Sequence, residues 1–157
     1  MKVVDYRDFP KPTALRDIGV VAHIEGDLDA IATMLSTKSK AFTQRATKTD
    51  PQVKYKSVFL KLSNGKPAEL TEYLDSPGSI ELNLQILKNE FVFEDDFSEI
   101  ISWLNIDPER VQKLGGVYIT WLPNRKAKMV RRKEEPLPED WWNHVPSISF
   151  ANTPPKK

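Results

Sequence analysis

The sequence predicts a single α+β domain: a mostly antiparallel sheet of about five or six strands, with two or three helices packed on one face. Residues 79–87 alternate apolar and polar side chains, which is typical of a strand that buries one face. Such strands favour an antiparallel sheet, because parallel strands are usually apolar on both faces. Apolar residues at helical spacing after Asp27 and after Asp96 supply helices that can cover the sheet.

The first third of the chain predicts an extended arm, a strand and a helix. Residues 1–16 form a short strand or an arm, and residues 18–25 alternate as a strand does. Asp27 is a good helix cap, because a short carboxylate accepts the free amides of a first turn. The helix that follows carries an apolar stripe that can reach Phe42, and residues 43–52 predict a basic loop.

Residues 53–62 predict the next strand, with Tyr55 and Phe59 on the face opposite Val58 and Leu60. The pair Asn64-Gly65 that follows favours a tight turn. Residues 67–74 fit either the return strand of a hairpin or a short helix, because their apolar residues suit both spacings.

The second half predicts two helices and three strands. After the strand at 79–87, Asp95 or Asp96 caps a helix whose apolar residues continue to Leu104. Asp107-Pro108 predicts a second, short helix that ends at Gly115-Gly116. Residues 117–122 predict an apolar central strand, and residues 125–133 predict its neighbour.

The domain is expected to span residues 1–150. Within it, residues 134–150 are rich in proline and contain Trp141 and Trp142, which predicts an extended segment packed on the sheet. Leaving two adjacent tryptophans in water would be costly. Residues 151–157 predict a flexible tail.

Composition excludes several classes of protein. The chain has no cysteine, which excludes disulfide scaffolds, thiolate metal sites and cysteine nucleophiles. No stretch approaches the roughly 18 apolar residues of a membrane span, and no apolar signal segment opens the sequence. We therefore expect a cytoplasmic protein that has no membrane partner, and no motif predicts a cofactor or a metal.

Charge is separated into blocks although the formal net charge is only +1. Residues 67–107 contain ten acidic residues and one basic residue, Lys88. Residues 125–133 contain six basic residues and no acidic one. Segregated charge of this kind indicates surfaces that meet a partner of opposite sign.

The acidic block predicts a surface for a basic protein. Its expected centre is the start of the helix after residue 93, with a possible aromatic anchor close by: Glu94, Asp95, Asp96, Glu99 and Trp103. No catalytic motif accompanies it. The first functional hypothesis is a non-enzymatic inhibitor, such as the immunity protein of a bacterial toxin, whose partner is a basic toxin or nuclease domain.

Two alternatives stay open. An accessory protein for nucleic acid would use the cations of the basic strand, namely Arg125, Lys126, Lys128, Arg131 and Arg132, because phosphate binding needs clustered positive charge. The same cations also suit an edge strand that is protected against aggregation. An enzyme would use a carboxylate site at residues 94–96, whereas His23 is expected to be a half-buried strand residue.

Overall fold

The structure, a computed structural model, describes residues 1–9, 18–44, 49, 51–85, 94–113, 117–121 and 127–131. These residues contain nine strands: β1 (Lys2–Val4), β2 (Ile18–Glu25), β3 (Lys40–Gln44), β4 (Val53–Lys61), β5 (Pro67–Tyr73), β6 (Ser79–Gln85), β7 (Val111–Lys113), β8 (Val117–Trp121) and β9 (Ala127–Arg131). They also contain two α-helices, α1 (Leu28–Met34) and α2 (Glu94–Leu104), and two 3-10 turns, Tyr6–Asp8 and Pro108–Arg110.

All pairings in the sheet are antiparallel, and the main order is β1-β4-β5-β6-β2-β8-β9. The strands β4, β5 and β6 form a meander joined by tight turns. Gly65 and Gly78 occupy those turns with φ of +88° and +89°, a backbone conformation that favours glycine. Two short strands share edges with longer ones: β3 pairs with β4, and β7 pairs with β2.

Both helices pack on the same face of this sheet. Leu28 and Ala32 of α1 and Ile100 and Leu104 of α2 are buried with the aliphatic side chains of β2, β4, β5 and β6. The side chain of Asp27 accepts a hydrogen bond from the amide of Asp29, which caps α1 as its position before the apolar stripe predicts. This face forms the main hydrophobic core.

The opposite face has an aromatic part and a polar part. Aromatic rings lie over β4, where Phe42 stacks on Tyr55 at 5.2 Å and Phe9 lies 4.7 Å from Phe59. Over β5 and β6 the same face carries buried polar side chains: Glu69, Thr71, Glu81 and Asn83. An antiparallel sheet often leaves its second face to water, but here that face is buried.

The predicted α+β class and antiparallel sheet are confirmed. The strands predicted at 18–25, 53–62, 79–87, 117–122 and 125–133 correspond to β2, β4, β6, β8 and β9. The alternative left open at 67–74 is settled in favour of a strand, β5. The predicted number of strands was too low, because three-residue strands such as β1 and β7 are too short to show a period of two.

Three local predictions were wrong. The stripe that follows Asp27 does not reach Phe42, because α1 ends at Met34 and Phe42 lies in β3. The helix predicted after Asp107 is a single 3-10 turn, after which the chain pairs with β2 as β7. Asp95 and Asp96 lie inside the first turn of α2, which begins at Glu94, so neither precedes the helix as a cap.

Some predictions fall on residues that the structure does not describe. The packed segment at 134–150 and the tail at 151–157 both lie outside the described residues. Within the described part of the chain, no helix has the length and apolar character needed to cross a membrane.

Candidate functional site

The predicted acidic centre at the start of α2 is partly engaged inside the fold. Asp96 accepts hydrogen bonds from the side chains of Asn64, at 2.8 Å, and Lys66, at 3.1 Å. Glu99 accepts a longer one, 3.4 Å, from the amide of Ser63. These contacts attach α2 to the turn between β4 and β5, so two of the predicted carboxylates have a structural role.

The other predicted residues of that centre differ in exposure. Asp95 is exposed, whereas Trp103 is half-buried and packs against the hydrophobic core. Glu94 is the first residue of α2. The structure therefore brings the predicted set together on one helix, but of the residues whose exposure is described only Asp95 is fully open to solvent.

Three more acids of the 67–107 block are buried in the sheet, namely Glu69, Glu72 and Glu81. Glu72 lies on the helix-covered face and accepts hydrogen bonds from the amides of Leu28, at 3.3 Å, and Gly78, at 2.8 Å. Lys56 reaches it at 3.3 Å and also contacts Asp29 at 2.7 Å. Glu72 thus joins β5 to the start of α1 and to the turn before β6.

Exposed carboxylates instead gather at one end of the sheet. This surface, here called the acidic end, contains Glu25, Asp27, Asp75, Asp107 and Glu109, all exposed. Three hydrogen-bonded contacts bring its segments together. The amide of Gly26 donates to the carbonyl of Gly78 at 2.9 Å, and the amide of Leu74 donates to the carbonyl of Lys54. The guanidinium of Arg110 donates to the carbonyl of Glu25. The basic residues close to these five carboxylates include Lys54, Arg110 and Lys56, the last of which is paired with Asp29 and Glu72.

A groove of about 290 Å³ opens within the acidic end. Its lining includes two carboxylates, an imidazole, a guanidinium and two neutral polar side chains: His23, Glu25, Ser79, Glu109, Arg110 and Gln112. The guanidinium of Arg110 is held by the backbone carbonyl of Glu25, with Nε at 2.9 Å. A side chain at Gly26 would collide with that guanidinium, so the absence of a side chain there permits the contact.

Behind this groove a row of polar side chains crosses the sheet on one face. Register places Ser57, Thr71, Glu81, His23 and Gln112 opposite one another on β4, β5, β6, β2 and β7. The hydroxyls of Ser57 and Thr71 share a hydrogen bond of 3.0 Å. The row runs from exposed Gln112 at the groove to the fully buried Thr71.

Glu81 and His23 form the middle of this row, and both favour their neutral forms. Burial, and to a lesser extent the negative charge of Glu69, raise the pKa of Glu81 to about 8. Burial also lowers the pKa of His23. The distance of 3.9 Å between His23 Nε2 and Glu81 Oε1 is too long for a hydrogen bond, so we treat the two as neutral neighbours and not as an ion pair.

Several atoms of this face lack a hydrogen-bond partner among the described residues. They are His23 Nε2, Glu81 Oε2 and both polar atoms of Asn83. Asn83 is completely buried and lies two residues from Glu81 on the same face of β6. Buried polar groups normally find partners, so these atoms are candidates for contact with a water molecule or a ligand.

The basic strand coincides with β9, which contains Lys128 and Arg131. Within the described part of the chain β9 pairs only with β8 and closes the sheet order, which is an edge position. Arg125, Lys126 and Arg132 of the predicted nucleic-acid surface lie outside the described residues.

Neither a metal-ligand cluster in the described residues nor a known relative identifies the function. Among the described residues, no three side chains of His, Asp or Glu are grouped so that they could hold a metal ion. Comparison of the chain with protein-family models, curated proteins and solved structures found no match. The acidic end and the polar row are therefore the two features of the described residues that bear on function.

Proposed function

We propose that this protein is a non-enzymatic inhibitor that binds a basic protein, in the manner of an immunity protein against a bacterial toxin. The observation that carries the proposal is the acidic end, where three separate segments bring five exposed carboxylates together and two of them, Glu25 and Glu109, line a groove. The proposed partner is a toxin or nuclease domain whose own substrate is an anion. A cationic substrate site on such a partner would be covered by these carboxylates.

Electrostatics explains how this surface would act. Complementary charge mainly speeds the encounter of two proteins, and its effect weakens as salt screens it. Carboxylates that are already held inside a fold contribute less, because their charge is compensated and their position is fixed. Asp96 and Glu99 are bonded inside the fold, whereas Glu25, Asp75 and Glu109 are exposed. The exposed three are therefore the better candidates to meet a partner.

The proposal is tested on the partner that the tagged protein captures from its native host. Reversing two groove carboxylates, Glu25→Lys with Glu109→Lys, should lower the association rate about tenfold at low salt and flatten its salt dependence. The contact between Arg110 and Glu25 uses the backbone carbonyl, so the first substitution leaves that contact in place. Stopped-flow or surface binding measurements report both quantities.

A matched control reverses the same number and kind of charges on α2, with Asp95→Lys and Glu99→Lys. This variant should associate at nearly the parental rate, and circular dichroism should show that both double variants remain folded. The acidic end is ruled out as the binding surface if only the α2 variant slows association. The inhibitor function is ruled out if the captured partner keeps its full activity in the complex.

A further inference from the structure

The residues with unsatisfied atoms on the polar face include one that lines the groove and two that are buried next to it on β6. His23 links the polar face to the groove, because it lines the groove and its side chain remains 34% exposed, whereas that of its neighbour Glu81 is only 9% exposed. Asn83 lies one step deeper on the same face of β6. His23 therefore lies at the groove, and Glu81 lies behind it, with 3.9 Å between His23 Nε2 and Glu81 Oε1.

These three side chains offer hydrogen-bond acceptors: an imidazole nitrogen, a carboxyl oxygen and an amide oxygen. On the same face, the negative charge of Glu69 is one of the two causes that raise the pKa of Glu81. The mouth of the groove adds Glu25 and Glu109, although Arg110 also stands there. Acceptor atoms in a negative field are suited to a donor that carries positive charge.

We propose that His23, Glu81 and Asn83 form a binding site for an organic cation with N–H donors, an alkylammonium or guanidinium group, which enters through the groove at the acidic end. The cation would donate to Glu81 and to one or both of the other two side chains. Two sources have this chemistry: a free small amine, or a lysine or arginine side chain of a protein. The inference goes beyond the proposed function, because a free amine needs no partner protein.

Proton linkage supports this chemistry. Glu81 keeps its proton near neutral pH because burial and the charge of Glu69 disfavour the carboxylate. A cation beside it would reverse that balance, so binding at pH 7 should release a proton. A neutral ligand of the same shape would leave the carboxyl group protonated.

The test titrates the full chain with n-butylammonium chloride at pH 7 and follows the His23 ring and the Glu81 and Asn83 amides by NMR. Saturable shifts of these signals are expected with n-butylammonium and not with n-butanol or sodium chloride. Calorimetry in two buffers that differ in ionisation enthalpy should show proton release on binding. Either the same shifts with n-butanol or no saturable shift with n-butylammonium would overturn the proposal.

Variants then locate the site. Glu81→Gln keeps the shape of the side chain and should weaken n-butylammonium binding by at least about tenfold, the loss expected for one charge-assisted hydrogen bond. Glu109→Gln, at the mouth of the groove, should weaken it by no more than about threefold, as a screened rim charge does. Equal binding by parent and Glu81→Gln would refute the site.

The captured partner distinguishes the two sources. If the cation is a partner side chain, Glu81→Gln should raise the dissociation rate of that complex and leave its association rate unchanged, because the contact is buried. If the cation is a free amine, Glu81→Gln should lose amine binding and keep partner binding. Both outcomes support the site, and neither depends on whether reversal at Glu25 and Glu109 affects the partner.

Discussion

A single carboxylate, Glu72, holds three parts of the fold together. Its two oxygens accept from the amides of Leu28 and Gly78 and from Lys56, and the residue is only 5% exposed. The start of α1, the turn before β6 and strand β4 all meet there. Removing one member of a buried, hydrogen-bonded charge pair leaves the other members without their partner.

We therefore expect Glu72→Ala to lower the free energy of unfolding by about 3–5 kcal/mol. Urea unfolding followed by circular dichroism measures the change. Asp75→Ala is the matched control, because Asp75 is exposed three residues away, and its effect should stay within about 0.5 kcal/mol. A Glu72→Ala protein that unfolds within 1 kcal/mol of the parent, roughly the worth of a single ordinary hydrogen bond, would show that Glu72 does not hold these parts together.

Glu81 gives the protein a pH dependence that an ordinary glutamate would not. The folded state holds this proton up to about pH 8, whereas the unfolded chain releases it near 4.5, so the contribution to stability is lost as pH rises through that window. The lowered pKa of His23 has the opposite effect on stability. Because the buried imidazole resists protonation, the folded state loses stability as pH falls below 6.5, the ordinary pKa of histidine. Between pH 6.5 and 8 the Glu81 effect should dominate this pair.

The substitution Glu81→Gln should remove the loss of stability that the Glu81 proton causes as pH rises toward 8. Compared with the parent, its unfolding free energy should fall less steeply from pH 6.5 to 8, by up to about 1.4 kcal/mol per pH unit. Thermal or urea unfolding at several pH values measures the slope, with Asp95→Asn as an exposed control that leaves the slope unchanged. Parallel pH profiles for parent and Glu81→Gln would mean that Glu81 is ionised in the folded protein.

The alternation of apolar and polar residues in the strands could not predict the roles of Glu81 and His23. The alternation at 79–87 correctly predicts that Glu81 and Asn83 share one face, but a period of two does not tell whether that face meets water. Thr71 on β5 and His23 on β2 are the side chains opposite Glu81, and the sequence does not give strand order. A second polar alternation on a neighbouring strand, at Glu69 and Thr71, was the available signal.

At the scale of elements, local signals predicted where segments begin better than what they become. Asp107 does cap a turn and accepts from the amide of Glu109 at 3.0 Å, as its position before Pro108 predicts. The residues after it then pair with β2 and form β7 in place of a helix. Pairing with the distant strand β2 outweighs the weak helix propensity of residues 111–113. A local window of sequence does not include β2, so it cannot show this competition.

The side chain of Asp96 makes two of the contacts that attach helix α2 to the β4–β5 turn. Asp96 binds Asn64 and Lys66, and its side chain is 13% exposed, whereas adjacent Asp95 is exposed and both lie in the first turn. Asp96→Ala should therefore lower the unfolding free energy by about 1–2 kcal/mol, and Asp95→Ala by less than about 0.5 kcal/mol. Urea unfolding of the two variants compares them, and equal values would show that the contact does not stabilise the helix.

At the scale of the molecule, the two charged regions have different explanations. The carboxylates of the acidic end come from three segments that only the fold brings together. The sequence block at 67–107 therefore predicted the sign of a surface and not its location. The basic strand is local, and its position beside β8 at the edge of the described sheet agrees with a protective role. Charge on an edge discourages pairing with another sheet.

Neutralising the basic strand separates protection from nucleic-acid binding. Replacing Lys126, Lys128 and Arg132 by Gln should increase aggregation at low salt, measured by light scattering, and leave partner association unchanged. The nucleic-acid alternative requires instead that the parent binds an oligonucleotide at low salt and that the variant loses this binding together with its salt dependence. Parent binding that the variant loses would favour the nucleic-acid role.

The central place of β2 has a consequence for how the chain assembles. Residues 18–25 are synthesised before all of their pairing partners, which are residues 79–85, 111–113 and the region of Ile119. The meander β4–β5–β6 can form from neighbouring sequence, whereas β2 must wait for distant segments, and such non-local pairings fold slowly. A nascent chain would therefore carry the apolar Val20–Ile24 stretch with at least one open edge until the segment from residue 111 onward had been translated, and chaperones bind exposed strands of this kind.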